Sequence, residues 1–291
     1  MRIVGSLAEV GGAYDAVFCD VWGVLHDGAR PYPGAVEALR AFREGGGKVI
    51  LVTNSPRTRD GVARQMDEEI GVPRECWDDI ATSGDSARAA LHRGVVGRRV
   101  YHMGGQADAA FFEPPDVVPD PVGVERVALE AAEGIVCTAP PDPLGDLDAV
   151  RPTLLAAKVR GLKLLCANPD IVVDRDGVRE WCAGAVARLY TQMGGESLYF
   201  GKPHPPIYDL ARRRLARIAP VEDERILCIG DGAVTDAVGA MGEDLDLLFV
   251  TGGLAAAETG TAPDGHPDPE RLAAFVAAER IAPTYAIGWL R

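Results

Sequence analysis

Short apolar runs alternate with amphipathic stretches along most of this chain, and this alternation is the feature that most restricts its fold. The runs "AVFC" and "KVILVT" are typical of buried strands, while "GAVEALRAFREGG" places Val36, Leu39 and Phe42 on one face of a helix. Strands that alternate with helices form βαβ units, in which the crossover helices cover both faces of a parallel sheet. We therefore predict an α/β protein with a doubly wound parallel sheet.

The middle of the chain interrupts this alternation. A second set of strands and helices begins near "DDIATSGDSARAALHRG" and contains the Pro-rich connection "FFEPPDVVPDPVG". The alternation of the first segment resumes with "YDLARRRLARIAP" as a helix and "ERILCIGDG" as a strand. Because 291 residues are enough for about two domains, the second set is predicted to be an inserted domain.

Charge and cysteine usage restrict the partners and the compartment. The formal net charge of −13 opposes binding to a nucleic acid or to an anionic membrane surface. No apolar run approaches the roughly 18 residues that a membrane span requires. The six cysteines show no CxxC spacing and lie mostly in apolar runs, as expected for reduced core residues. We predict a cytoplasmic protein without a nucleic-acid or membrane partner.

Polar residues follow four of the predicted strands. Parallel sheets bind ligands beyond the carboxyl ends of their strands, so these positions are the candidates for chemistry. Taken singly, each also has a structural interpretation, because an acid can cap a turn, a serine can cap a helix and a lysine can lie on the surface. The candidates are Asp20, Thr53, Asn54, Ser55, Lys202, Asp231 and Asp236.

Taken together, these side chains suit phosphoryl chemistry. Clustered carboxylates bind a hard cation such as Mg²⁺ through oxygen and leave positions for water and a phosphate. A lysine and a hydroxyl can neutralise and bond the phosphoryl oxygens while one carboxylate attacks as nucleophile. The residue types therefore predict a magnesium-dependent site for a phosphorylated ligand.

The order of the motifs resembles the haloacid dehalogenase superfamily, and within it class IIA, the NagD, nitrophenylphosphatase and pyridoxal-phosphate phosphatase type. The resemblance covers nearly the whole chain and implies a Rossmann-like core with an inserted α/β cap domain. The core would comprise residues 1–81 and 196–291, and the cap residues 82–195. The motifs that carry it are "DVWGVLHDG", "VTNSPRT", "CANPD", "GKPHPPIYDLA" and "GDGAVTD".

This resemblance implies a Mg²⁺-dependent hydrolase that acts on a small phosphorylated metabolite through an aspartyl phosphate. It implies that Asp20 is the nucleophile, with Lys202 and Ser55 as the other catalytic residues. Asn168 in "CANPD" would contact substrate, although an Asx-Pro turn explains that segment equally well. A homodimer would also fit. The implied substrate-binding residues are Thr53, Asn54, Ser55, Asn168 and Lys202, and the implied metal ligands are Asp20, the Trp22 backbone carbonyl, Asp231 and, in the second coordination sphere, Asp236.

Trp22 departs from the family pattern, which has a second acid at this position to protonate the leaving oxygen and later activate water. Indole has no group that titrates near neutral pH. General acid–base assistance is worth about 10² to 10⁴ in rate, so its loss predicts slow turnover of poor leaving groups. His26 is either a substitute or a structural residue.

Trp22 leaves two further hypotheses open beside the phosphatase. One is a catalytically weak or inactive protein that binds a phosphorylated ligand without turning it over. The other is an enzyme that cleaves a carbon–halogen or carbon–phosphorus bond, since some relatives of those kinds also lack the second acid. Asp231 and Asp236 count against dehalogenation, because family dehalogenases work without a metal.

Overall fold

The computed structural model describes residues 1–105, 110–175, 178–263 and 265–291. The chain divides into two compact units. The first unit consists of residues 1–53, 63–81 and 202–291, and the second of residues 54–62 and 82–201.

Both units are built from strands that alternate with helices, as the sequence predicts. The strands are β1 (Arg2–Ile3), β2 (Ala16–Cys19), β3 (Lys48–Thr53), β4 (Asp79–Thr82), β5 (Arg99–Met103), β6 (Glu125–Arg126), β7 (Gly134–Cys137), β8 (Lys163–Cys166), β9 (Val172–Arg175), β10 (Val178–Trp181), β11 (Glu196–Tyr199), β12 (Ile226–Gly230), β13 (Asp246–Val250) and β14 (Tyr285–Ile287). The helices are α1 (Ala8–Gly11), α2 (Pro33–Glu44), α3 (Arg59–Arg64), α4 (Ser83–Leu91), α5 (Arg151–Val159), α6 (Ala183–Gln192), α7 (Pro205–Ala216), α8 (Val238–Gly242), α9 (Ala256–Thr259) and α10 (Pro269–Glu279).

The first unit has a seven-stranded sheet in the order β1-β14-β13-β12-β2-β3-β4. The pairs from β1 through β3 are parallel. Every residue of β2 and β12 is buried, as expected for central strands that helices cover on both faces. α2 and α7 both pack against β3. These two central strands carry Asp20 and Asp231 at their carboxyl ends.

The second unit has a five-stranded parallel sheet in the order β11-β8-β7-β5-β6. β9 and β10 form a separate antiparallel pair. α6 packs on this sheet and contributes Val186 and Tyr190 to an apolar core that also contains Leu154 and Leu164. Each unit thus contains a parallel sheet, and the α/β class predicted from the sequence is confirmed.

Two helical segments contain a wider π-helical turn. α3 is followed by such a turn over Gln65–Ile70, which ends at Gly71 with φ of 80°. A second π-helical turn, Ala233–Ala237, precedes α8 and carries Asp236. No helix in the described part of the chain is long and apolar enough to span a membrane.

Candidate active site

Two neighbouring strands position the acids at the centre of the site. β2 and β12 pair in parallel with Cys19 opposite Ile229, and the amide of Asp20 donates a hydrogen bond of 2.8 Å to the carbonyl of Ile229. Asp20 and Asp231 are the first and second residues after these paired positions, so both lie at the carboxyl edge of the sheet. This is the edge at which parallel sheets bind ligands.

Lys202 lies between two carboxylates. Its Nζ is 2.6 Å from Oδ1 of Asp20 and 2.8 Å from Oδ1 of Asp236. The residue is only 3% exposed, so the interpretation of Lys202 as a surface lysine is wrong. Burial by itself disfavours its charged form, but the charges of Asp20 and Asp236 outweigh this effect and raise the pKa of the lysine. Lys202 therefore stays protonated throughout the physiological range.

Backbone amides fix the other two acids. Oδ2 of Asp231 accepts a hydrogen bond of 2.9 Å from the amide of Leu254. Oδ2 of Asp236 accepts one of 3.1 Å from the amide of Gly232, and Thr235 donates to the same oxygen at 3.3 Å. Burial, followed by the charge of Asp236, raises the pKa of Asp231 to about 7. The acids are thus held in place with little solvent to screen their mutual repulsion.

The carboxylate cluster fits a divalent metal ion. One oxygen from each of Asp20, Asp231 and Asp236 lies within 4.8 Å of the others. Lys202 supplies one positive charge to three acids, and burial together with the charge of Asp236 raises the pKa of Asp20 well above its usual range. An oxygen-coordinated cation such as Mg²⁺ suits this donor set and would relieve the excess negative charge.

The backbone around Trp22 lies beside this cluster. Trp22 is flanked by Asp20, two residues earlier, and by Gly23, where a side chain would collide with the carboxylate of Asp231. Gly23 has φ of 81°, a conformation that favours glycine. This placement is compatible with a metal-binding role for the Trp22 carbonyl.

The indole of Trp22 occupies a space that Gly28 and His26 border. A side chain at Gly28, whose φ is 96°, would overlap the indole ring. The ring of His26 meets the indole edge-on, with centroids 5.5 Å apart and planes at 74°. Trp22 nevertheless remains 37% exposed. The loop therefore holds an aromatic side chain at the position where the family pattern has an acid.

His26 serves this loop as a structural residue. It is 4% exposed, and its Nδ1 accepts a hydrogen bond of 2.9 Å from the amide of Gly28, which leaves the ring proton on Nε2. Burial lowers the pKa of His26 to about 4, so the ring is neutral at physiological pH. Of the two roles left open for His26, the structural one agrees with these contacts.

Of the other predicted residues, Thr53 belongs to the first unit, and Asn54, Ser55 and Asn168 belong to the second. Thr53 is buried and ends β3, next to β2 in the sheet of the first unit. In the second unit, Asn54 donates a hydrogen bond of 2.8 Å to Asp170, whose amide donates one of 2.9 Å to Asn168. Oγ of Ser55 accepts a hydrogen bond of 3.3 Å from the amide of Arg57. The serine motif and "NPD" are therefore joined within one unit.

Two contributors were missed by the sequence interpretation. Leu254 binds Asp231 through its amide, and Gly253 leaves space for that carboxylate. Asp170, which belongs to the same predicted "CANPD" segment as Asn168, links the two asparagines. The available signal for Gly253 and Leu254 was "FVTGGL", an apolar strand that ends in glycines at the same sheet edge as Asp20.

Comparisons with known proteins agree with this architecture. The family "Haloacid dehalogenase-like hydrolase" matches residues 17–116, and the family "HAD-hydrolase-like" matches residues 199–275. A crystal structure of a haloacid dehalogenase-like hydrolase from Brucella suis 1330 is 39% identical to this chain. It has a TM-score of 0.83, and the alignment covers 99% of this chain and 100% of that one.

Two phosphatases are more distant relatives. Dihydroxyacetone phosphatase from Corynebacterium glutamicum (strain R) is 23% identical over 247 residues, covering 81% of this chain and 80% of that protein. Glycerol phosphate phosphatase from Mycobacterium tuberculosis, crystallised in complex with magnesium, is 24% identical with a TM-score of 0.67. Its alignment covers 96% of this chain and 76% of that one and shows a shared fold.

The fold and the family matches define an α/β hydrolase, and its structure carries a carboxylate–lysine cluster at a sheet edge. The chain belongs to the haloacid dehalogenase-like hydrolases, of class IIA. The family predicted from the sequence motifs is thereby confirmed.

Proposed function

We propose that this protein is a Mg²⁺-dependent phosphatase that hydrolyses a small phosphorylated metabolite through an aspartyl phosphate on Asp20. The observation that carries the proposal is the buried contact of Lys202 with Asp20 and Asp236, beside Asp231. A carboxylate held beside a fixed cation and a candidate metal site suits attack on a dianionic phosphate. The phosphatase names of the relatives support the same reaction.

Asp20 is the nucleophile in this proposal. One of its oxygens bonds to phosphorus as the ester P–O bond breaks, and water then releases inorganic phosphate from the aspartyl phosphate. Lys202 offsets the negative charge of Asp20 and of the transferring group. Asp20, the Trp22 carbonyl and Asp231 would hold Mg²⁺, supported by Asp236, and the ion would supply electrostatic stabilisation of the phosphoryl oxygens.

The second unit is proposed to act as the cap, with residues 82–195 as its inserted part. Thr53, Asn54, Ser55 and Asn168 are the proposed substrate-binding residues. The bond from Asn54 to Asp170 supports this, because it fixes the amide between two motifs that the sequence singled out. A homodimer is also part of the proposal. We place the protein in the cytoplasm, since all six cysteines are buried and, in the described part of the chain, form no disulfide.

A binding protein that does not turn over its ligand is the second candidate, and Trp22 favours it because indole supplies no acid–base group. The carboxylate cluster disfavours a metal-independent dehalogenase.

The test incubates the purified protein with phosphate esters, in Mg²⁺ and in EDTA, and measures phosphate release. Asp20→Asn is expected to abolish Mg²⁺-dependent release. Asp15→Asn is the matched control, because Asp15 precedes the same strand at its opposite end and forms an exposed ion pair with Arg225. Activity that survives Asp20→Asn would refute the proposal. Tight binding of a phosphate ester without release of phosphate would favour the binding protein.

A further inference from the structure

The titratable groups of this site are already engaged. In the part of the first unit that the structure describes, the acids and bases at the site include Asp20, Lys202, Asp231, Asp236 and His26. Burial raises the pKa of Tyr32 and of Tyr208 nearby, so these phenols hold their protons. Lys202 binds Asp20 and Asp236, and the second oxygen of Asp236 accepts from the Gly232 amide. Asp231 is bound by the Leu254 amide and belongs to the metal cluster. His26 is buried, with Nδ1 bonded to Gly28.

Trp22 is the residue of this loop that combines exposure with proximity to the cluster. Its neighbour Gly23 packs against the Asp231 carboxylate, and 37% of Trp22 is exposed. Its indole N–H can donate a hydrogen bond but cannot transfer its proton near neutral pH. Gly28 leaves room for the indole and the ring of His26 contacts it, so the loop accommodates an aromatic side chain.

The inability of Trp22 to transfer a proton matters in the step in which the ester bond breaks. As Asp20 attacks, its oxygen forms a bond to phosphorus, and the electron pair of the breaking P–O bond remains on the leaving oxygen. A simple alcohol would depart as a strongly basic alkoxide unless a proton reached it in the same step. A phenol or enol departs as a stabilised anion and takes its proton from solvent after release.

We propose that this enzyme selects phosphate esters of weakly basic oxygens, of the aryl and enol class, because Trp22 leaves the departing oxygen without a proton donor. This inference rests on the proposed phosphatase function and adds the substrate class to it. Trp22 thereby becomes a specificity-determining residue that acts through the acidity of the leaving group.

The test compares kcat/KM for p-nitrophenyl phosphate, phenyl phosphate and an alkyl phosphate, because kcat/KM reports the step in which the leaving group departs. For the wild-type protein we expect kcat/KM to fall steeply along this series. Trp22→Asp, which places a carboxyl group in the loop, should raise kcat/KM for the alkyl phosphate by about 10² to 10⁴, and so flatten the series.

Trp22→Asn is the matched control. It removes the same indole and has nearly the shape of aspartate, but it cannot transfer a proton, so the series should stay steep. Circular dichroism of both variants tests whether they fold. The comparison of the three esters with the wild-type protein does not depend on the variants. Equal kcat/KM for alkyl and p-nitrophenyl phosphates in the wild-type protein would overturn the inference. Absence of Asp20-dependent release from every ester would instead overturn the proposed function.

Discussion

The ammonium group of Lys202 donates a hydrogen bond of 2.6 Å to Asp20 in an environment that is almost closed to solvent. The same ammonium group lies 2.8 Å from Asp236, so one cation serves two buried anions. Removing one partner of a buried ion pair leaves an uncompensated charge, which costs about 3 to 5 kcal/mol. The contact is thus important for folding as well as for the proposed chemistry.

Replacing Lys202 tests both roles. Lys202→Met keeps most of the side-chain volume but removes the charge, so we expect the free energy of unfolding at neutral pH to fall by about 3 to 5 kcal/mol. Phosphate release should fall with it. Urea denaturation measures the first effect. Adding Asp20→Asn to Lys202→Met should recover part of the lost stability, because the double variant no longer buries the Asp20 charge unpaired.

Lys163→Met is the matched control for this variant. Lys163 forms an ion pair of 2.8 Å with Glu196, but the two side chains are 48% and 56% exposed. Exposed pairs contribute at most about 1 kcal/mol, so this control should be nearly neutral. Equal losses for Lys163→Met and Lys202→Met would contradict the importance assigned to burial.

Magnesium should stabilise the protein more at pH 8 than at pH 5. The folded protein raises the pKa of Asp231 to about 7, chiefly through burial. In the unfolded chain an aspartate titrates near pH 3.9. A raised folded pKa contributes stability that is complete below the unfolded pKa and is lost as pH rises to the folded pKa. The metal-free protein therefore loses stability between about pH 4 and 7, and a bound cation restores it.

The measurement is the shift in melting temperature between Mg²⁺ and EDTA at each pH. Asp231→Asn should reduce both the shift and its dependence on pH, because the amide does not ionise. A shift of the same size at pH 5 and pH 8 would contradict the assignment of Asp231 as a metal ligand.

Gly253→Ala should weaken magnesium binding although residue 253 is no ligand itself. A methyl group at this position would overlap the carboxylate of Asp231 and displace it. Altering such supporting positions costs roughly 10- to 100-fold in metal affinity. Isothermal titration with Mg²⁺ measures the effect. Gly12→Ala is the control, because a methyl group there meets no atom within 4 Å. Unchanged affinity in Gly253→Ala would show that Asp231 does not need its present position.

The fold and the edge of the sheet that carries the acids could be predicted from the sequence. Apolar runs define the strands, and the parallel arrangement brings the residues after "VFC" and "ILCIG" to one edge. Local patterns carry no information on burial between distant segments, so a lysine after "YFG", taken alone, is more readily interpreted as a surface residue. Its place between Asp20 and Asp236 depends on the packing of elements far apart in sequence.

The roles of His26 and Leu254 could not be predicted from the sequence, for related reasons. Histidine is a residue type that can shuttle protons. Only the burial of His26 and its hydrogen bond with the Gly28 amide show that it has a structural role instead. Leu254 acts through a backbone amide, a group that every residue except proline possesses. A side-chain pattern therefore cannot identify Leu254. The strand that precedes "TGGL" indicates only the sheet edge on which Leu254 lies.

A phosphoryl group should accumulate on Asp20 during turnover of p-nitrophenyl phosphate. The water that attacks the aspartyl phosphate must lose a proton, and Trp22 provides no base to accept it, so the second step should be slow relative to the first. Rapid mixing should show a burst of about one p-nitrophenolate per active site followed by a slower steady rate. Mass spectrometry after acid quenching should detect one added phosphoryl group. Trp22→Asp should accelerate the second step and remove the burst, whereas Trp22→Asn should retain it. A linear progress curve from the first turnover, with unmodified wild-type protein in the quenched sample, would show that another group activates the water.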